Sequence, residues 1–87
     1  MTTDHLTTAL KMAPLVGRVH GEGHPELTQV RELTERLPQA KSAEETAEIF
    51  QELRSVTSNY TVPADGCEAY TATYDALKGA DTQHAGA

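Results

Sequence analysis

Apolar residues recur at three- to four-residue spacing along almost the whole chain, and this periodicity confines it to helices. Leu6, Leu10, Ala13, Val16 and Val19 predict a first helix from Asp4 to Val19, with Asp4 as its N-cap. Pro14 lies inside that run. Proline lacks the backbone donor and crowds the carbonyl four residues back, so a kink or a fresh start is expected there. Gly21-Glu22-Gly23-His24-Pro25 then breaks the pattern, two glycines supplying free backbone angles and Pro25 suiting the next helix start. The second helix carries Leu27, Val30, Leu33 and Leu37 and ends at Pro38. Ser42 followed by Glu45 is a capping box, opening a third helix with the stripe Thr46, Ile49, Phe50, Leu53, Val56 and Tyr60. A fourth is predicted from Pro63 to Leu77, with Cys67, Tyr70, Tyr74 and Leu77 inward and Gly79 as its C-cap. Residues 80–87 lack periodicity and are expected to form a disordered tail. The fold class is therefore all-α: one domain over residues 1–79, a small antiparallel four-helix bundle.

How well such a bundle can be held together depends on what fills it. The chain has 87 residues and is 38% hydrophobic, but alanine supplies more than a third of that share. There is one Phe, three Tyr and no Trp. Chains of this size bury only about 60% of their unfolded surface, so a core this light is marginal alone. A homo-oligomer or a protein partner is expected, with a self-partnering interface along Tyr70, Tyr74 and Leu77.

Charge narrows the partners. Seven Lys plus Arg face 13 Asp plus Glu, for a net charge of −6. Such a surface repels phosphate backbones, which argues against nucleic acid. No apolar stretch approaches the ~20 residues that span a bilayer, and the N-terminus lacks the pattern of a signal peptide. One cysteine cannot form an internal disulfide, so a cytoplasmic location is expected.

The segment richest in chemistry is His20-Gly21-Glu22-Gly23-His24. Neutral imidazole and carboxylate suit iron or zinc, which makes His20, His24 and Glu22 candidate metal ligands. The competing reading is structural: His20 favours the negative end of its helix, and His24 caps or decorates a turn. Glu44, Glu48 and Glu52 stack one turn apart and read as a solvated face. Cys67 reads as a small buried hydrophobe. No Ser-His-Asp order, phosphate loop or Cys-x-x-Cys pair is present, and no enzyme activity is expected.

Two segments carry a family resemblance. Val19-His20-Gly21-x-x-His24-Pro25-Glu26-Leu27 resembles the hemerythrin-like domain of the iron–sulfur cluster repair di-iron proteins, which act under nitrosative and oxidative stress. Leu53-Arg54-x-x-Thr57-x-Asn59-Tyr60-Thr61-x-Pro63-x-x-Gly66-Cys67-x-x-Tyr70-x-x-x-Tyr74-x-x-Leu77 is similar to the stretch leading into that domain's last helix. Both occur in the family's order and together span most of the chain. The family's ligand positions do not follow. Pro38-Gln39-Ala40-Lys41 replaces the ligand turn after the second helix, Ser42 and Ala43 stand where the family has Glu-His, and the final His-x-x-x-Glu-Asn is missing. The resemblance thus implies a truncated hemerythrin-like bundle, a binding or accessory protein without its own di-iron centre. The alternative is a metal-binding homodimer whose iron or zinc site is built from two copies of the His20–His24 turn.

Overall fold

A computed structural model describes residues 5–86, and every regular element among them is helical. Helix α1 spans His5–His20, α2 Glu26–Arg36, α3 Ala43–Val56 and α4 Glu68–Gly86, with a 3-10 turn over Leu37–Gln39. The four helices pack together, α1 chiefly against α4 and α2, α2 against α3, and α3 more lightly against α4. Asp4, the expected N-cap, lies outside the described residues. No helix among the described residues is long and apolar enough to cross a membrane.

Local chemistry explains most boundaries. The Ser42 hydroxyl accepts from the Glu45 backbone N–H at 3.1 Å, the capping contact the sequence predicts. Pro14 does not divide α1, which runs unbroken to His20. Ala9, Ala13 and Val16 are buried on both sides of it, and tertiary burial of that face outweighs one missing hydrogen bond. Pro38 tightens the end of α2 into the 3-10 turn rather than stopping it outright.

The chain departs most from the sequence reading at α4. The helix begins at Glu68, five residues after Pro63, because Pro63 opens a turn whose carbonyl accepts from the Gly66 N–H at 2.9 Å. It also passes through Gly79 and continues to Gly86, so residues 80–86 are helical rather than a disordered tail. Gly79 serves packing instead of capping: a Cβ there would lie 2.9 Å from the His5 ring. Asp81, on the turn beyond, is buried.

The core is thin but complete. Val16, Leu27, Val30, Leu33, Ile49, Phe50, Leu53, Tyr70, Tyr74 and Leu77 meet in one cluster. The radius of gyration is 12.1 Å, what about 12 Å would be for a well-packed domain of this length, so the alanine-rich composition has not loosened it. Tyr70, Tyr74 and Leu77 are respectively 0%, 2% and 0% exposed. They hold the helices of one chain together and offer no surface to a second, which corrects the interface expected there. Burying one Leu such as Leu77 contributes roughly 2 kcal/mol, and Tyr70 and Tyr74 are the largest of the fully buried side chains. Buried Thr34, Thr57 and Thr73 turn their hydroxyls onto carbonyls one turn back, Val30, Leu53 and Ala69, at 2.6–2.8 Å.

Candidate functional site

The break after α1 is built by close approach rather than by a left-handed glycine. The Gly21 N–H reaches the Gly17 carbonyl at 2.8 Å, and a Cβ on Gly21 would collide with that carbonyl. No described glycine has positive φ. The His20 carbonyl then accepts from both Gly23 and His24, and the His24 carbonyl accepts from Leu27, which launches α2. This tight geometry brings His20 and His24 onto one support. Both rings stand edge-on to Tyr70, at 5.2 Å and 5.7 Å between centroids.

The two imidazoles face different partners. His20 Nε2 lies 3.3 Å from Cys67 Sγ. His24 Nε2 lies 3.0 and 3.1 Å from the two Asp65 oxygens, and its Nδ1 lies 3.4 Å from Glu26. Asp65 arrives through the Pro63–Gly66 turn. A Cβ on Gly66 would lie 2.6 Å from Val62 Cγ1 and 3.1 Å from the Pro63 carbonyl, so any larger residue would force the turn to shift. The Asp65 hydrogen bond, aided by the Asp65 and Glu26 charges, holds the His24 pKa above its ordinary value. The same hydrogen bond holds the Asp65 carboxyl below the usual carboxylate range. In its protonated form His24 donates from both ring nitrogens and fastens the 57–67 loop to the α1–α2 turn.

Of the three candidate ligands, His20 and His24 are therefore neighbours, while Glu22 is exposed and joins neither. Among the described residues no three His, Cys, Asp or Glu side chains converge on a point where a metal ion could sit. A di-iron centre needs several such donors from facing helices, and the donors here do not fit one. Cys67 is exposed, not core, because α4 starts one residue after it and leaves it at the helix mouth. Its carbonyl accepts from Thr71. Asp65 escaped the sequence reading, while Glu26 was legible as part of the His24-Pro25-Glu26 motif but not as a partner of His24. The Pro63-x-x-Gly66 pattern was the available signal, since a β-turn there displays its central residues.

A second polar cluster sits at the other end of the same loop. Ser58, Asn59 and Tyr60 follow α3 in the left-handed region, with φ of 52°, 64° and 61°. Each L-residue there costs about 1–2 kcal/mol, and Asn tolerates it best. The stretch is held by the Tyr60 N–H on Thr57 Oγ1 and the Asn59 N–H on the Arg54 carbonyl, both 2.8 Å. Asp81 Oδ2 accepts from both the Tyr60 hydroxyl and Arg54 Nε at 2.8 Å. Burial, then the Asp81 hydrogen bond, pushes the Tyr60 pKa far up, so it remains a donor. Tyr70 contrasts with it. Its buried hydroxyl makes no hydrogen bond of full geometry and interacts only weakly with the Tyr74 side chain, while burial raises its pKa.

Compared with protein-family models, with curated proteins and with solved structures, the chain gives no significant match to any of them.

Proposed function

We propose that this chain is a small binding or accessory protein, an antiparallel four-helix bundle of hemerythrin-like type. It works by presenting a surface to another protein rather than through a di-iron centre of its own. The sequence resemblance supports a setting in iron–sulfur cluster repair and stress response. The observation that carries the reading is the fate of the turn histidines. His24 is engaged by Asp65 and Glu26, and His20 by Cys67, so the residues most like metal ligands serve to fasten a loop. The reading assigns no catalytic residue. Metal analysis of protein purified from iron-replete cells tests it. No stoichiometric metal is expected, and one tightly held iron per chain would refute it.

A second reading keeps a metal. His20 Nε2 and Cys67 Sγ stand 3.3 Å apart, a pair of donor types that zinc or iron accepts, and two copies would double the set. In that case His20→Ala abolishes metal binding and lowers the melting temperature together, because metal held between subunits stabilises both. An unchanged melting temperature with no metal in either protein would eliminate it.

A further inference from the structure

From Lys11 to Val19, helix α1 turns an apolar and basic face outward. Among the described residues the exposed large hydrophobics are Leu15 and Val19, 46% and 73% exposed, one turn apart on that helix. Lys11 and Arg18 flank them, both exposed, and no acidic side chain lies between His5 and His20. The whole chain carries −6, so this is a basic, apolar face on an acidic protein. Beside it the groove between α1 and α2 is a shallow cavity of about 300 Å³ lined by Pro14, Gly17, Arg18, Leu27, Thr28 and Arg31. Among the described residues neither arginine makes an ion pair, and the space where a Gly17 Cβ would stand is open. A surface of this kind takes an acidic helix with a small-residue seam.

The chain contains such a helix. On α3, Glu44, Glu48 and Glu52 are exposed and unpaired, and Ala43 and Ala47 are exposed beside them. At 1.5 Å per residue, Lys11 and Arg18 are about 10.5 Å apart along α1, and Glu44 and Glu52 about 12 Å apart along α3. Leu15 and Val19 share the one-turn spacing of Ala43 and Ala47. Helix α1 packs chiefly on α4 and α2, and among the described residues no ion pair joins Lys11 or Arg18 to the glutamates of its own α3. We infer that α1 of one copy docks against α3 of a second copy, Leu15 and Val19 on the Ala43–Ala47 seam and Lys11 and Arg18 against the glutamates. Two such contacts, exchanged between copies, make a closed dimer. This inference rests on the reading of the chain as a binding protein and names its partner.

The test is a charge swap read by sedimentation equilibrium. Wild-type protein should be dimeric at low salt and dissociate toward monomer at high salt, as screening weakens the pairing. The double variant Lys11→Glu/Arg18→Glu should be monomeric, its dimer weakened about tenfold or more, and so should Glu44→Lys/Glu48→Lys. Mixed in equal amounts, the two variants should dimerise again, since each then offers the other an opposite charge on both helices. Misfolding could not produce that rescue. Wild-type protein that is monomeric at low salt, or a mixture that does not reassociate, would overturn the inference. Metal content measured on the same sample separates the two claims: a metal-free monomer defeats this dimer alone, while stoichiometric iron defeats the proposed function.

Discussion

The loop joining α3 to α4 is held at both ends by an aspartate, and the two aspartates sit in opposite surroundings. Asp81 accepts from Arg54 and Tyr60 with its side chain only 12% exposed. Asp65 grips His24 with its side chain 70% exposed. Out of water, the first cannot easily exchange a lost partner for solvent. The second can, and its partner changes charge near neutral pH. One end of the loop is a fixed anchor and the other a fastening that depends on conditions. Low exposure, not the count of hydrogen bonds, makes that difference.

Removing the fixed anchor should do the most damage. Asp81→Ala strands the Tyr60 hydroxyl and removes the brace on three left-handed residues. It should cost about 2 kcal/mol, because Arg54 is exposed enough to rehydrate. For a domain this size that lowers the melting temperature by roughly 10 °C, readable by circular dichroism. A drop no larger than that of an exposed substitution such as Gln51→Ala would show that the anchor is ornamental.

The exposed fastening should give a smaller effect that depends on pH. His24 has its folded pKa raised above 6.5, so the folded state holds the proton longer than the unfolded one. The stabilisation is complete below pH 6.5 and is lost as pH rises through the folded value. Asp65 is shifted down from 3.8, so its share is present above that pH and is lost on further acidification. The melting temperature should thus be highest in mildly acidic solution and fall toward mild alkali, less steeply in salt. His24→Gln should flatten that fall while leaving the Asp81 end untouched. An unchanged slope would assign the pH dependence to another group.

The smallest effect is expected between the two ends. Tyr70 packs edge-on with both histidine rings, while its own buried hydroxyl has at most a weak contact with the Tyr74 side chain. Tyr70→Phe keeps the ring and removes a poorly satisfied group, so stability should stay within about 0.5 kcal/mol or rise slightly. A loss beyond that, measured in urea, would mean that the hydroxyl has a partner after all.

What the sequence made legible follows from the range of the forces involved. The four stripes, the Ser42 cap and the break after His20 are local, set by residues within one or two turns, and they were readable. The extent of α4 was not. Its start is delayed by a turn that serves Asp65, a residue whose partner lies 41 positions away. Its continuation past Gly79 depends on the His5 ring and on Arg54 and Tyr60 from other elements. The tyrosine stripe was placed correctly on its helix but read as a surface, because amphipathic spacing does not say whether the buried face meets the same chain or another. Cys67 shows the converse error. It shares the spacing of the stripe, but the helix that would have buried it has not yet begun.

The packing of α1 against α4 has a consequence for how the molecule comes into being. On the ribosome α1 is made well before its main partner α4, so Ala9 and Val16 must wait for the intervening helices and loops to be synthesised. Until Tyr70, Tyr74 and Leu77 emerge, α1 has only α2 to lie on. A nascent chain arrested near Gly66 would expose the inner face of its first helix as well as the outer one. Completion of α4 is therefore the step that commits α1 to its place.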